Sequence, residues 1–561
     1  MHALTNVRSP ADLAAFTLAI AVSLLATDGR AQGLGDAAQE ALRNRIEAAG
    51  TPLALEVRGC RIYAVQTLPT FYERRTYRPA WSDDRGPRPT ALALLSAVRD
   101  AELEGLRASD YHLAAIEELL RDGAARRGGR RWTVTALVDL DLLLTDAFLI
   151  YGSHLLAGRV NPETIDAQWI ASRREGDIGA VLGLALESGR IAESLRELLP
   201  EHPGYRRLRD ALARYRAIAA VGGWPTVPAG ANLAIDEQGP RVAALRRRLA
   251  VTDPSVAADT ELFDSELEEA VRRFQRQHGL DVDGAVGPAT LAALNVSVEE
   301  RIRQIELNLE RWRWLPQELG ERYLIVNIAN FELDVVEAGR TVLTMRVVAG
   351  RPYRRTPVFS DEMTYLVFNP YWHVPRNLAV QDILPQIQSD TTYLARQRMR
   401  VFRHSESGGL EEIDPSTVDW AQVTAENFVF QLRQDPGPSN ALGRVKFMFP
   451  NRFNVYLHDT PTRTLFERSA RDFSSGCIRI EKPIELAEYV LSGDPNWTRD
   501  RIMTAIAAGS EETVRLPESI TVHLLYWTAW AEDDGSIQFR RDVYNRDARL
   551  YAELQESPPS P

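Results

Sequence analysis

Lysine is nearly absent from this chain. Of 66 basic side chains in 561 residues, only Lys446 and Lys482 are lysines. A phosphate-binding Walker loop requires Gly-Lys-Ser/Thr, and neither lysine has that context. A Ser-x-x-Lys acyltransferase requires serine three positions before lysine, where this chain has Gly443 and Arg479. His-Glu-x-x-His and Gly-x-Ser-x-Gly are also missing, so the sequence supports neither metal nor serine catalysis.

An excess of positive charge is missing as well. The chain has 77 acidic against 66 basic residues and a net charge of −11, which gives no general reason to expect a nucleic-acid partner. Its densest basic run, ARRGGRR at 125–131, is typical of a solvated loop between two helices.

Long apolar runs are missing too, with one partial exception at the amino terminus. The apolar stretch from Leu13 to Ala26 is shorter than the roughly 20 residues that a membrane span needs. Gly29 and Ala31 follow it and suit signal-peptidase cleavage. We therefore predict that 1–31 is a signal peptide and that the protein is exported, with an uncleaved anchor or a misassigned start as the alternatives.

The first half of the chain has helical periodicity. Between 34 and 222, apolar residues recur at spacings of three and four, and no group of residues has catalytic spacing. The pattern predicts a helical scaffold domain over 34–222. The glycine- and proline-rich stretch GGWPTVPAGANL that follows predicts a linker.

Residues 233–296 contain the pattern FQxxxGLxxDGxxGxxTxxAL between helical segments. This pattern resembles the small three-helix peptidoglycan-binding domain, which implies that fold and a wall-binding role. Leu280, Leu291 and Leu294 are expected in its core together with Phe274, and His278 is expected to cap or lie at the surface rather than bind a ligand. The module residues that carry the resemblance most directly are Phe274, Gln275, His278, Asp283 and Gly284.

A connecting helix is predicted over 297–316. Ser297 and Glu300 have the spacing of a capping box. The apolar stripe that follows would couple the binding module to the next domain; it consists of Ile302, Ile305, Leu309 and Trp312.

The periodicity then changes to two, so we predict a mainly β catalytic domain over 317–530, with a hairpin turn at Glu337–Arg340. Within it, 376–434 is predicted to be a helical insertion that acts as a substrate lid. Residues 531–561 are predicted to be a C-terminal tail. The fold class is therefore multidomain α+β: a helical scaffold, a three-helix binding module and a mainly β domain with a helical lid.

The chain has only two cysteines and nine histidines, yet His458 lies nineteen positions before Cys477, each in a strand-like run. The thiol of a free cysteine, with a pKa of about 8.5, is mostly protonated at neutral pH. His458 as an imidazolium could lower that pKa and later return the proton. The turn Ser475-Gly476-Cys477 could offer backbone N–H groups to an oxyanion. The alternative is that Cys477 is only a small buried hydrophobic residue.

The run HDTP followed by SSGCIR resembles the active-site signature of the YkuD-type L,D-transpeptidases. Further segments resemble the large YcbB-type subgroup, which combines a scaffold, a peptidoglycan-binding domain and a lid: FYERRTYRPAW, YGSHLLAGRVNPETIDAQW, NPYWHVPRNLA and RQDPGPSNALGRVKFMFPN. The one departure from the broader family is Ser475, where histidine is common, but serine is usual in this subgroup.

The resemblance implies a periplasmic enzyme in which Cys477 is the nucleophile and His458 the acid/base. The thiolate would attack a tetrapeptide stem at the L-centre of diaminopimelate and release D-Ala. The amine of a second stem would resolve the thioester into a 3→3 cross-link, whereas water would make a carboxypeptidase and a protein amine an anchoring enzyme. No metal or cofactor is implied, and carbapenems are expected to acylate the thiol.

Several other residues are candidate substrate contacts. Arg479 shares a strand face with Cys477 and would add positive charge. Tyr456 shares the face of His458, with plain packing as the alternative. Trp372 and His373 lie just before the insertion, and one of them is expected to contact substrate, although alternation does not indicate which. Contacts to stem carboxylates are also predicted before the catalytic strand, from Asn440 and Arg444.

Two other functions are compatible with parts of this pattern. A non-catalytic wall-binding scaffold would be expected to lose His458 or the turn before Cys477, and both are intact. A papain-like peptidase places its histidine after the cysteine, the reverse of the order here. The predicted partners are peptidoglycan stems and glycan strands, with other cell-wall synthases as a further candidate. Cys60 is expected to be buried and unpaired, since a disulfide would consume the nucleophile.

Overall fold

A computed structural model describes residues 33–125, 132–170, 173–405 and 408–558. The predicted signal peptide and most of the arginine-rich run lie outside these ranges. Within them, none of the helices combines the length and apolarity needed to cross a membrane.

The amino-terminal region is helical, as predicted, and is built around one central helix. Helix α5 (Val134–Ala157), with 24 residues, is mostly apolar and is buried along most of its length, as expected of a helix at the centre of a bundle. Two small hairpins, β1–β2 (Glu56–Val57, Cys60–Arg61) and β3–β4 (Ser82–Asp83, Gly86–Pro87), lie between the helices. The helices are α1 Leu34–Ala48, α2 Thr67–Arg74, α3 Pro89–Arg99, α4 Leu113–Ala125, α5 Val134–Ala157, α6 Pro162–Ile165, α7 Ile178–Ser188, α8 Ile191–Arg196 and α9 Pro203–Ala220.

The module predicted over 233–296 has three helices, α10 Pro240–Ala250, α11 Ser265–Gln277 and α12 Pro288–Leu294. Its motif residues hold the module together. The amide of Gln275, 1% exposed, donates to Asp283 at 2.7 Å and accepts from the Gly284 N–H at 2.9 Å. His278 stacks on Phe274, with ring centroids 3.8 Å apart. These contacts show that the motif residues stabilise the module.

The connecting helix α13 (Val298–Arg313) begins with the predicted capping box: Ser297 Oγ accepts from the Glu300 N–H, and Glu300 accepts from the Ser297 N–H. Its apolar stripe packs against α9 and against the segment that follows the last long strand. The helix thus packs between the scaffold and the catalytic domain, whereas the sequence predicted only that it couples the binding module to the domain that follows.

The catalytic domain contains a nine-stranded sheet in the order β15-β7-β16-β14-β13-β8-β17-β5-β6. The sheet closes on itself because β7 also pairs with β6. Helices α17 (Pro483–Leu491) and α18 (Arg499–Ala507) complete its core. The hairpin at Glu337–Arg340 is present. The strands are β5 Arg322–Asn327, β6 Glu332–Glu337, β7 Arg340–Gly350, β8 Phe359–Phe368, β13 Val445–Met448, β14 Leu457–His458, β15 Asp472–Ser474, β16 Ile478–Ile480 and β17 Glu512–Leu525.

The predicted helical insertion contains a sheet as well as helices. Its first part is a helix, α14 (Arg376–Leu378) and α15 (Leu384–Ser389), interrupted by a π-helical turn at Ala379–Ile383. Pro385 has no N–H to donate to the carbonyl four residues earlier, which favours this wider turn. Helix α16 (Tyr393–Arg396) is short, because the chain then enters an antiparallel sheet. That sheet contains β9 Trp372–His373, β10 Met399–His404, β11 Leu410–Ile413 and β12 Phe430–Gln434.

The prediction of a C-terminal tail from 531 is wrong. Residues 529–539 form a hairpin of β18 (Ala529–Ala531) and β19 (Ile537–Phe539), and α19 (Arg546–Gln555) follows. This segment is anchored by buried side chains, among them Tyr544 and Leu550 at 1% and 0% exposure. The polar composition of this segment is typical of an exposed tail. Its few apolar side chains nevertheless pack into the core of the catalytic domain.

Candidate active site

A cavity of about 850 Å³ lies between the catalytic sheet and the insertion, which we call the lid. Its walls come from β14, β16 and the turn between β15 and β16 on one side and from the lid helix on the other. It brings together seven of the residues predicted from sequence: Cys477, His458, Tyr456, Arg479, Ser475, Trp372 and His373. Both Trp372 and His373 line it; Trp372 also packs against the lid core, whereas His373 is exposed.

Strand pairing explains why Cys477 and His458 share this cavity. Strands β14 and β16 pair in parallel, with His458 opposite Arg479. Cys477 directly precedes β16, and Tyr456 directly precedes β14. Because residues two apart in a strand share a face, these four side chains project on the same side of the sheet.

The environment of His458 keeps its imidazole neutral. The side chain is 5% exposed, and its Nδ1 lies 2.6 Å from the carbonyl oxygen of Asp459. A carbonyl can only accept, so Nδ1 carries the hydrogen and Nε2 is left with its lone pair. Burial and the nearby Arg479 and Lys446 lower the pKa of His458 to about 3, although the bond to Asp459 opposes this. The structure therefore favours a neutral imidazole over the predicted imidazolium, with Nε2 as the nitrogen that could accept a proton.

The Cys477 thiol also rests mostly in its neutral form. Burial raises its pKa, whereas hydrogen bonds from Tyr456 and the charges of Lys446 and Arg479 lower it. These groups stabilise a thiolate once the proton has left. Neutral thiol and neutral imidazole together favour proton transfer during attack over a preformed ion pair.

The turn before Cys477 leaves two backbone donors free. Gly476 has a φ of +114°, which favours glycine at this position. Its N–H donates to Ser474 Oγ at 3.1 Å, so it is already occupied. Among the described residues no acceptor meets the N–H groups of Ser475 and Cys477, which are thus the candidates for an oxyanion site.

Two residues that the sequence did not single out hold this turn in place. Thr356, fully buried, donates through Oγ1 to the Gly476 carbonyl at 2.8 Å and accepts the Gly350 N–H at 2.9 Å. Tyr544 from the C-terminal segment donates to the Gly350 carbonyl at 2.6 Å and accepts the Thr356 N–H at 3.2 Å. The segment predicted to be a tail therefore supports the active-site turn.

The lid is tied to the same turn by one arginine. Arg354 donates to Ser475 Oγ at 3.0 Å and to Gln381 on the lid at 2.7 Å. It also forms an ion pair with Asp382 in the π-helical turn of the lid. Arg354 therefore connects the position of the lid to the position of the active-site turn.

Two predicted substrate contacts are not in the cavity. Asn440 is 0% exposed, and its amide donates to the carbonyls of Pro370 and Asp435, each at 3.0 Å. Arg444 is exposed and binds the buried Asp459 through its N–H and Nε. Both residues therefore stabilise the loop before the catalytic strand, and the prediction of carboxylate contacts is wrong for them.

Lys446 is the cavity residue that the sequence reasoning missed. It lies opposite His458 on β13, and its Nζ is 3.9 Å from the centre of the Tyr456 ring. Burial lowers its pKa, while the charges of Cys477 and Glu511 raise it. The rarity of lysine could have indicated this residue, because nearly all other basic residues of the chain are arginines.

Replacing Lys446 with methionine is expected to slow acylation of Cys477 about tenfold or more at neutral pH. The change keeps length but removes a charge that lowers the thiol pKa, and each unit of pKa corresponds to a factor of ten. The pH profile of iodoacetamide alkylation should also shift upward. Lys482→Met is the matched control, because Lys482 donates to the Thr344 carbonyl and lies outside the cavity. Equal rates for both variants would contradict the role of Lys446.

Among the described residues, no group of three or more His, Cys, Asp or Glu side chains is arranged to hold a metal ion. The two cysteines are not bonded to one another, and Cys60 is half-buried.

Comparison with known families gives three matches along the chain. Residues 66–212 match the model of a scaffold domain, and residues 238–294 match the "Putative peptidoglycan binding domain". Residues 321–497 match the L,D-transpeptidase catalytic domain of the YkuD family, which contains both His458 and Cys477.

One curated relative is a Haemophilus influenzae protein with the name "Putative L,D-transpeptidase". It is 34% identical over 255 residues, which is 45% of this chain and 50% of that protein. The chain thus matches about half the length of this relative.

Solved structures give a weaker likeness. An L,D-transpeptidase from Xylanimonas cellulosilytica is 17% identical, with a TM-score of 0.17, over 53% of this chain and 99% of that one. The Ldtfm–avibactam carbamoyl enzyme is 11% identical, with a TM-score of 0.17, over 57% and 98%. At these TM-scores the assignment depends on the sequence matches alone.

Proposed function

Because the chain carries a YkuD-type L,D-transpeptidase catalytic domain beside a scaffold domain and a peptidoglycan-binding domain, we propose that it forms 3→3 cross-links between peptidoglycan stems through a thioester at Cys477. The observation that carries this proposal is the shared cavity of Cys477 and a neutral His458 whose Nε2 is free. A nucleophile and a base on neighbouring strands are the minimum that acyl transfer through a thioester requires.

In the first half-reaction, Cys477 attacks the diaminopimelate carbonyl of a tetrapeptide stem while its proton passes to His458 Nε2. The N–H groups of Ser475 and Cys477 hold the negative oxygen of the tetrahedral intermediate. The bond to D-Ala then breaks, and His458 returns the proton to the leaving amine. An acyl-enzyme thioester remains.

In the second half-reaction, the amine of a second stem attacks the thioester. His458 takes a proton from that amine, an amide forms, and the Cys477 thiol is regenerated. The net change is one amide bond exchanged for another, so no redox step or cofactor takes part.

The charge of the cavity suits the stem. Lys446 and Arg479 both line it, and the Arg479 Nε is buried without a hydrogen-bond partner among the described residues. A stem carboxylate would supply that partner. The substrate lies outside the cytoplasm, so we place the protein there, and we assign the periplasm on the predicted signal peptide.

The proposal is tested by incubating the purified full chain with disaccharide-tetrapeptide and analysing the products by liquid chromatography and mass spectrometry. The expected product is a dimer whose fragmentation gives a diaminopimelate–diaminopimelate bond, together with free D-Ala. Tripeptide without dimer would mean that water is the acceptor. Unchanged tetrapeptide would overturn the proposal.

The lid is expected to control access to Cys477. Asp382→Asn removes the ion pair with Arg354, which for a partly exposed pair contributes up to about 1 kcal/mol. Iodoacetamide should then alkylate Cys477 roughly two- to fivefold faster, because the lid opens more often. Asp390→Asn is the control, since Asp390 accepts from the Thr392 hydroxyl and binds Arg396 elsewhere in the lid. An unchanged alkylation rate in Asp382→Asn would contradict the lid assignment.

A further inference from the structure

A second cavity, of about 790 Å³, lies on the outer face of the catalytic sheet. It shares no lining residue with the cavity around Cys477. Its volume is within the range of ligand-binding clefts, roughly 300–1,000 Å³. Strands β5, β6 and β7 form its floor, and α9, α13 and the β18–β19 hairpin form its walls. We call it the acidic cleft.

Carboxylates outnumber cations in the acidic cleft. Only two arginines line it, Arg207 and Arg340, and Arg207 is paired with Asp533 at 3.1 Å. The lining carboxylates are Glu332, Asp334, Glu532, Asp533 and Asp534.

The two carboxylates on the floor lack a cationic partner among the described residues. Asp334 accepts from the Thr344 hydroxyl at 2.7 Å, and Glu332 accepts from Asn330 Nδ2 at 2.9 Å. Burial and the charges of Asp334 and Glu532 raise the pKa of Glu332 to about 7, although Arg540 and Arg471 oppose this. Burial also raises the pKa of Asp334. Ionising these carboxylates inside the cleft therefore costs free energy, and a bound cation would lower that cost.

Asn327 adds a hydrogen-bond donor to the same floor. It is 8% exposed and lines the cleft. Its Oδ1 accepts from the Trp527 N–H at 3.1 Å, which fixes the amide orientation. No described residue accepts from its Nδ2 group, so an occupant with an oxygen acceptor would satisfy it.

The aromatic walls do not offer a platform for sugars. Trp312 and Trp527 stack on each other with ring centroids 4.4 Å apart and are 4% and 8% exposed. Trp530 has Arg540 over its ring at 4.7 Å. Since few open ring faces remain, charge and hydrogen bonding decide what the cleft can bind.

We propose that the acidic cleft binds an extended cationic peptide segment of a partner protein. A lysine or arginine side chain would pair with Asp334 and Glu332, and a backbone carbonyl would accept from Asn327 Nδ2. A polyamine or a bare cation lacks that acceptor, and a tetrapeptide stem carries more carboxylates than amines. A cationic peptide supplies both kinds of group.

The test measures binding of the fluorescein-labelled peptide Gly-Lys-Gly-Lys-Gly-Lys-amide to the full chain by fluorescence anisotropy. We expect saturable binding that weakens as salt is raised. Glu332→Gln with Asp334→Asn should weaken binding about tenfold or more. The control pair Glu187→Gln with Asp259→Asn removes the same charge from exposed positions outside the cleft and should leave binding unchanged.

Melting temperatures verify that each variant is folded. If the double variant does not fold, the single variant Asp334→Asn replaces it, because asparagine keeps an acceptor for the Thr344 hydroxyl. Equal binding by cleft and control variants, or no binding at all, would overturn the proposal. So would spermidine binding as tightly as the peptide, or tetra-N-acetylchitotetraose binding in place of it.

Discussion

Cys477→Ser is expected to abolish release of D-Ala from disaccharide-tetrapeptide. The serine hydroxyl has nearly the size of the thiol, but its pKa is far higher, and His458, with a pKa of about 3, is too weak a base to activate an alcohol to a useful degree. The charges of Lys446 and Arg479, which stabilise a thiolate, would remain in place without a nucleophile to act on. The rate should fall below detection, as should acylation by a carbapenem.

Cys60→Ala is the matched control for this variant. Cys60 is the only other thiol in the chain, lies on β2 of the scaffold and takes no part in the active-site cavity. The Cys60→Ala substitution should leave D-Ala release unchanged. If Cys477→Ser released D-Ala at the rate of the parent chain, the assignment of the nucleophile would be wrong.

His458→Gln should reduce acylation of Cys477 by about 10²- to 10⁴-fold, the range that a positioned base contributes. Glutamine is uncharged and similar in length, but it cannot take the thiol proton. Because the pKa of His458 is about 3, the imidazole is neutral across the working range. The rate of the parent enzyme should therefore show no inflection between pH 6 and 7 and should rise toward alkaline pH as Cys477 loses its proton.

The control for the base is His404→Gln, a change on the exposed face of the lid strand β10, outside the cavity. Its rate should equal that of the parent. An acid limb with a midpoint near 6.5 in the parent, the value of an unperturbed histidine, would show that an imidazolium does form and would contradict the neutral-base assignment.

The sequence predicted which side chains share the cavity, because their placement depends on short spacing along paired strands. His458, Cys477 and Arg479 follow from alternation within two runs, and Gly476 follows from the need for a tight turn. The capping box at Ser297 is equally local. Such features need no knowledge of which distant elements meet.

The features that were missed depend on contacts between distant segments. Lys446 enters the cavity through the pairing of β13 with β14. Thr356 and Tyr544 lie 120 and 68 positions from Gly476 in the sequence, separations that no periodicity indicates. The sequence predicts carboxylate contacts for Asn440 and Arg444 because they precede the catalytic strand, whereas burial of Asn440 and the ion pair of Arg444 with Asp459 give them structural roles.

The lid shows a third kind of difference. The run around Tyr393–Arg396 has helical spacing, but β10 begins at Met399 because its backbone groups pair with β12 and β11. Tertiary pairing of this kind outweighs local propensity. Its first part remains helical, and that part covers the cavity.

The measurement that tests the central claim most directly is the intact mass of the full chain after incubation with disaccharide-tetrapeptide and an acid quench, followed by peptide mapping. The proposed mechanism predicts a covalent disaccharide-tripeptide adduct on Cys477, absent from Cys477→Ser and retained in Cys60→Ala. Release of D-Ala without any adduct on Cys477, or an adduct at another residue, would contradict it.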